Sequence, residues 1–367
     1  MSADTSQAIW DRARRYQSVL VGQGAQVTDA DILQPAGTLL DLYGEDIRAR
    51  AFTTQDPLRG EQMLRPDFTV PIVQQHMASA SEPARYTYLG KVFRKQETDE
   101  TRPTEFVQVG FEVFDGKDVA AADAEVFATF AGILADVPVT PMTGDIGILR
   151  AAVIGLNTTQ RRRAALMRHL WRPRRFRALL DRFGGITPTP AARTALLANA
   201  DAMADLPAVL GLRSESEIAL RIDALRVDAS ADPISGFELD LLDALLKVRE
   251  TAPNALATLR DIAVDLPSIG AAIDGMSMRL DALESRGIDV DALPFEAAYG
   301  RTSMEYYDGF VFGFSSNTNL NIPPVATGGR YDALTAVLGG GHDGNGGVPA
   351  VGGVIRPDLV ARAEAAQ

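Results

Sequence analysis

Gln108 and Glu112 are the residues whose types and spacing point most directly to chemistry. They lie in TEFVQVGFEVFDG (104–116), where strict alternation assigns Val107, Val109, Phe111 and Val113 to one face of a strand. Phe106, Gln108, Gly110, Glu112 and Phe114 take the other face. The first set is apolar and suits packing against helices. The second sets an amide and a carboxylate on either side of a glycine. Glu112 can hold an ammonium group and Gln108 a polar group, and Gly110 leaves space where a ligand can come close. The same pattern also fits a sheet face open to water.

Three further segments carry polar or aromatic residues of interest. ARYTYLGKVFRK (84–95) reads as a strand followed by Arg94, joined to the first by QETDETRP (96–103). Antiparallel pairing is expected to bring Arg94, Gln108 and Glu112 into one neighbourhood, with Arg94 as an ion-pair partner or an anion clamp. In LRPDFTVPI (64–72), Asp67 and Thr69 flank Phe68 before a proline-containing turn, the pattern of a loop with a helix cap. SMEYYDGFVFGFS (303–315) alternates again, with Met304, Tyr306, Phe310, Phe312 and Phe314 on one parity and Glu305, Tyr307, Gly309, Val311 and Gly313 on the other. TGGRYDAL (327–334) reads as a Gly-Gly turn into a helix. GGGHDGNGG (339–347) contains Gly339-x-Gly341-x-x-Gly344, but it does not sit between a strand and a helix, so it reads as a loop and not a dinucleotide fingerprint. His342 within it has no evident partner, and neither a nucleophile elbow nor a P-loop is present.

The elements that must position these residues follow from composition and periodicity. The chain has 367 residues, 46% of them hydrophobic and 23% charged, enough for a sizeable core in one large or two ordinary domains. Cysteine is absent, which excludes disulfides, thiol catalysis and cysteine-ligated zinc, and only three histidines occur. The net charge of -12 disfavours nucleic-acid binding across a broad face. The polar N-terminus and the lack of a long apolar run predict a cytoplasmic protein. Ile9, Ala13, Tyr16, Val19 and Leu20 recur at helical spacing over residues 4–20. Residues 31–150 mix helical and β-rich text, 155–290 are rich in Ala, Leu and Arg, and β-rich text returns from 295. In 237–250, Phe237, Leu241, Leu242, Leu245 and Leu246 are expected on one helical face. The expected architecture is α/β (α+β): one domain formed by 1–150 and 295–367, split by a mostly helical insertion at 151–294. Residues 161–182 hold nine arginines, expected as a solvated helix pair around Pro173 or as a contact for an anion or acidic partner.

Several blocks occur in a fixed order: RPDFT (65–69), GKVFRKQ (90–96) with RPTEFVQVGFEVF (102–114), MEYYDGFVF (304–312), GGRYDAL (328–334) and PAVGGVI (349–355). Together they resemble the catalytic domain of class II histidyl-tRNA synthetases, across most of 1–150 and 295–360. The resemblance implies an antiparallel sheet flanked by helices, LQPAG (33–37) as motif 1, and Arg94 as the arginine of motif 2. It also implies that Asp67, Thr69, Gln108, Glu112 and Tyr307, with Arg94 and Tyr306 beside them, form a histidine-binding set, Asp67 shortening a glutamate of the family.

Departures from that pattern redirect the functional expectation. Thr302 stands where the synthetases carry a catalytic arginine, with Arg301 one residue away. Leu359 stands at the motif 3 arginine, with Arg356 three residues early. The motif 2 acid is Gln96 and its loop is acidic, and no C-terminal anticodon-binding domain is expected. Adenylation needs cations on developing phosphate charge, so these changes argue against it. A synthetase-like chain of this kind is similar to the regulatory subunits of ATP phosphoribosyltransferase. That resemblance implies no catalytic residue, cofactor, metal, nucleic acid or membrane. It implies a dimer inside a hetero-octamer with the short-form catalytic subunit, activation of that subunit in histidine biosynthesis, and feedback by L-histidine, with Glu112 or Asp67 facing its ammonium and Tyr307 near its imidazole. The competing expectation is a compact active histidyl-tRNA synthetase or a related amino-acid-activating ligase.

Overall fold

Strand β6 (Glu105–Phe114) lies inside the main sheet, and its alternating residues feed two different cores. The computed structural model describes residues 3–43, 47–79, 81–96, 102–204, 211–301, 306–339 and 347–365. Before β6 come β1 (Gln26–Val27), β2 (Leu33–Pro35), β3 (Thr53–Asp56), β4 (Gly60–Leu64) and β5 (Ala84–Phe93). After it come β7 (Val139–Asp145), β8 (Arg249–Thr251), β9 (Pro294–Glu296), β10 (Phe310–Ser316), β11 (Ala326–Arg330) and β12 (Ala350–Ile355).

The main sheet has the order β1-β5-β6-β12-β11-β10-β7-β9-β8. From β5 to β7 every pairing is antiparallel, while β1 joins β5 and β9 joins β7 in parallel. A small separate sheet runs β2-β4-β3. Among the described residues no helix is long and apolar enough to cross a membrane.

One face of the sheet packs on helices. Val107, Val109, Phe111 and Val113 of β6 join Phe310, Phe312 and Phe314 of β10 in a core shared with the helices Ala3–Gly22, Val119–Ile133 and Gly270–Ser285. Between β7 and β9 the described chain is mainly helical, and Leu242, Leu259, Met276 and Leu283 of that segment enter the same core. Arg279 ties it further to the sheet, donating to Asp123 at 3.2 Å and to Asp145 at 2.6 Å. Asp123 also accepts from Arg330 of β11 at 2.7 Å.

The other face is covered too. Phe106 and Phe114 of β6 meet Phe68, Tyr88, Val92, Tyr307, Val311 and Tyr331 in a second core. Gln108 is 1% exposed and Glu112 0%, so this is not a sheet face open to water.

Local signals set many element ends, and packing moved others. Ser235 and Glu238 form a reciprocal capping box that starts the helix Gly236–Lys247. Its buried stripe is Leu239, Leu242 and Leu245, while Phe237 is exposed, so the expected face is rotated. In the first helix Ile9, Ala13 and Leu20 are buried but Val19 is exposed, one step off the stripe. Pro71 lies in the first turn of the helix Thr69–Ser79, where a proline is tolerated, so the expected turn is a helix start. Gly328 and Gly329 lie within β11, paired on both sides by β10 and β12; two-sided pairing overrides their turn preference.

The nine-arginine stretch forms the helices Gln160–Arg168 and Pro173–Phe183, with Pro173 in the first turn of the second. It is not solvated throughout. Arg162 is buried and bonds Asp228 and the carbonyl of Asp232. His342 and most of the glycine-rich loop lie outside the described residues, as do Thr302 to Glu305.

Candidate functional site

Glu112 points from β6 into the second core and is held by three hydroxyl groups. Oε1 accepts from Thr69 Oγ1 at 2.9 Å and from Tyr88 OH at 3.0 Å. Oε2 accepts from Tyr331 OH. The donors arrive from separate elements: the start of the helix Thr69–Ser79, strand β5, and the residue after β11. Burial pushes the Glu112 carboxyl up to about 7, opposing the hydroxyl bonds, which favour the anion; the charge of Asp67 pushes it further up. Burial, and then the charge of Glu112, raise Tyr88 and Tyr331 well above the usual phenol range, so both remain donors at neutral pH.

Two glycines make this arrangement possible. A Cβ on Gly352 would lie 1.6 Å from Glu112 Oε2, so the carboxylate fits only because β12 has no side chain there. A Cβ on Gly110 would lie 1.9 Å from Tyr88 Cζ. The space expected for a ligand above Gly110 is therefore filled by the phenol of Tyr88, which stacks on Phe68 at 4.4 Å between ring centres.

The remaining candidates divide into two groups. Asp67 and Thr69 are buried beside Glu112, and the charge of Asp67 also reaches Tyr307. Gln108 is buried on the same strand face, and its Oε1 has no hydrogen-bond partner among the described residues. Tyr307 is buried, its hydroxyl raised by burial and by the charge of Glu112. Tyr306 and Tyr307 precede β10 and are not part of it, so the expected opposite parity fails: their rings lie 4.8 Å apart, and Tyr306 is 6.0 Å from Tyr331.

Arg94 departs from the expected neighbourhood. The register pairs Gly90 with Gln108 and Phe93 with Glu105. Arg94 therefore falls about 13 Å along the strand from the level of Gln108, in the direction away from Glu112. Its Nε donates to the Pro66 carbonyl at 2.7 Å, and its guanidinium is 5.6 Å from the ring centre of Phe106. It lines a cleft with Gln96, Arg356 and Leu359. The motif 3 shift read from the sequence thus leaves an arginine in the same place as Arg94, because Arg356 precedes the helix Pro357–Glu364 and reaches back over Phe106 at 3.7 Å. The acidic stretch 97–101 lies outside the described residues. Arg301 points elsewhere: its Nε donates to the Leu170 carbonyl, and its guanidinium covers Phe176.

Tyr88 and Tyr331 were missed as site residues in the sequence. Tyr88 shares a strand with Lys91 and other polar residues at no distinctive spacing, and Tyr331 sits within GGRYDAL with nothing local to link it to Glu112.

Comparison with known proteins agrees with this architecture. The family profile described as Histidyl-tRNA synthetase matches residues 30–226 and 216–356. The ATP phosphoribosyltransferase regulatory subunit of Brucella canis is 31% identical over 336 residues, covering 86% of this chain and 88% of the relative. The same subunit of Brucella abortus is also 31% identical, covering 86% of this chain and 87% of the relative. Among solved structures, an ATP phosphoribosyltransferase regulatory subunit/histidyl-tRNA synthetase from Bacillus halodurans superposes with a TM-score of 0.67 at 21% identity, covering 98% of this chain and 79% of that one. A histidine–tRNA ligase subunit from Alicyclobacillus acidocaldarius gives a TM-score of 0.62 at 21% identity, covering 100% of this chain and 95% of that one.

Proposed function

The chain belongs to the family of ATP phosphoribosyltransferase regulatory subunits, histidyl-tRNA synthetase-like in profile, and from that premise we propose that it activates a short catalytic ATP phosphoribosyltransferase in the cytoplasm while performing no catalysis itself. It does so by binding the active arrangement of that partner more tightly than the inactive one, within a hetero-octamer. Exposed Ile32 and Leu33, at the motif-1-like segment, support self-association into the dimer that such an assembly requires.

Histidine is the proposed feedback ligand. The observation that carries this is the buried acceptor set on one strand face, in which Gln108 Oε1 has no partner among the described residues while Glu112 is already caged. A buried carbonyl without a donor is costly, and an incoming ammonium removes that cost. Asp67 and Gln108 receive the ammonium in this reading. Glu112, Tyr307, Tyr306 and Thr69 surround the imidazole, and Arg94, whose charge reaches Tyr307, balances the carboxylate. Histidine then inhibits by favouring whichever arrangement of the complex it binds better.

Reconstitution tests the proposal. The protein is mixed with the short catalytic subunit, ATP and phosphoribosyl pyrophosphate, and turnover is followed with and without histidine. Turnover that requires this chain and falls with histidine supports it; turnover indifferent to the chain, with no co-elution, removes it. Histidine-dependent exchange of pyrophosphate into ATP by the chain alone would instead establish the amino-acid-activating reading.

A further inference from the structure

Arg301 is 5% exposed, and its charge is left uncompensated. Its Nε donates to the Leu170 carbonyl at 2.8 Å, and its guanidinium lies 4.8 Å from the ring centre of Phe176. Nη2 is buried with no hydrogen-bond partner among the described residues. Among those residues no carboxylate forms an ion pair with it, and the charge that acts on it is another cation, Arg177. Acids of the helical segment are engaged elsewhere, Asp243 by Arg177 at 3.2 Å and Asp228 by Arg162 at 2.8 Å. A buried guanidinium is ordinarily paired, because a charge taken out of water without a partner is costly. Burial pushes this one down to about 10 and Arg177 pushes the same way, and it still stays protonated at neutral pH.

The helix that Arg301 covers supplies a second, independent observation. Phe176 follows the start of the helix Pro173–Phe183, whose N-cap residue Arg172 makes no side-chain cap bond. The N–H groups of Arg174 and Arg175 have no acceptor within the helix, and the helix dipole adds partial positive charge at this end. Trp171, between Leu170 and the N-cap, carries a buried Nε1 donor with no partner among the described residues. This corner of the fold gathers donors and positive charge without a described carboxylate, which is the composition of an oxyanion site. The small residual exposure of Arg301 suits a compact ion and not an extended ligand.

We propose that Arg301 and the N-terminal end of the helix Pro173–Phe183 bind one compact oxyanion of phosphate or carboxylate type. Arg301 supplies the charge through Nη2, and the helix end supplies backbone donors. The ion ties the helical segment between β7 and β9 to the chain leading into β10. The site rests neither on histidine binding beside Glu112 nor on a partner subunit.

Calorimetry on the full-length chain in a chloride buffer tests this with sodium phosphate, sulfate and acetate as probes, and with sodium chloride at matched ionic strength as the control. The expected result is saturable one-to-one binding of an oxyanion that chloride does not reproduce. Phosphate or sulfate bound more tightly than acetate assigns a tetrahedral anion, and the reverse assigns a carboxylate. Trp10→Phe leaves Trp171 as the one tryptophan, and its emission is expected to follow the same binding curve. Arg301→Met is expected to weaken binding at least about tenfold. It also removes the uncompensated charge, so its unfolding midpoint is expected to match or exceed the wild type in chloride and to fall below it in saturating oxyanion. An equal difference in both buffers makes Arg301 merely structural and overturns the proposal. Should Arg301→Met not fold, Arg301→Lys keeps the charge, loses the fork, and is expected to bind more weakly. Absence of saturable binding by the folded wild type overturns the proposal, as does unchanged affinity in the Arg301 variant that folds.

Discussion

Tyr331 donates its hydroxyl hydrogen to Oε2 of Glu112 across 219 residues of sequence, joining the residue after β11 to the middle of β6. This bond and those from Thr69 and Tyr88 are what allow a carboxylate to sit fully buried between two aromatic side chains and a helix start. Tyr331→Phe keeps the ring and removes one donor. The expected loss is about 1–3 kcal/mol of folding stability. It is expected to be larger at pH 8, where the carboxylate is ionised, than at pH 5. Urea titrations of both proteins at the two pH values give the comparison, and an equal loss at both would remove the charge from the explanation.

The pH dependence of stability carries a signature of Glu112. Burial raises its carboxyl from the ordinary 4.5 to about 7. The folded state therefore holds a proton that the unfolded state has released. Stability from this group is fully present below pH 4.5 and is lost as pH rises through about 7. Glu112→Gln removes the ionisation and keeps the shape. The wild type is expected to lose stability relative to this variant between pH 5 and pH 7.5, and parallel curves would refute the assignment.

Gly352 is tied to Glu112 by the absence of a side chain. Gly352→Ala places a Cβ 1.6 Å from Oε2 and forces the carboxylate out of its cage. A destabilisation of about 1–3 kcal/mol is expected. Gly275→Ala is the control, since nothing lies within 4 Å of its Cβ in the helix Gly270–Ser285. That change is expected to stabilise by about 0.5–1 kcal/mol. Thermal unfolding of the two variants separates steric loss at the site from a general effect of adding a methyl group.

Arg279 binds Asp123 and Asp145, and Asp123 also binds Arg330, all of them nearly excluded from water. Arg279→Met leaves Asp123 with Arg330 alone and takes from the buried Asp145 its arginine. The expected cost is about 3–5 kcal/mol. A midpoint shift in guanidinium chloride within the range of a surface substitution would show the network to be dispensable.

In the reconstituted complex, Gln108→Leu removes an acceptor proposed for the histidine ammonium. The histidine concentration for half-inhibition is expected to rise about tenfold or more, with uninhibited turnover unchanged. A proportional fall in turnover without histidine would instead assign Gln108 to assembly.

Much of this architecture is written in local patterns. The alternation in 104–116 assigns the apolar residues of β6 from Phe106 to Phe114 to their observed faces, because a strand's side-chain period of two needs no distant information. The first helix and the arginine-rich helix pair follow in the same way from spacing and from Pro173. The ordered blocks from 65 to 355 carry the family. Other features depend on residues far apart in the chain. That Tyr88 fills the gap above Gly110, that Tyr331 and Thr69 cage Glu112, and that Arg356 covers Phe106 are outcomes of pairing register. The glycines in β11 and the tyrosines before β10 were misplaced by the local reading for the same reason: turn preference and parity are worth little beside two-sided strand pairing and the filling of a core. Within β6 the neighbouring sequence specifies which way a side chain faces, because the strand period is local; what it meets there is settled by packing among elements from 43 to 219 residues away, as Thr69 and Tyr331 on Glu112 show.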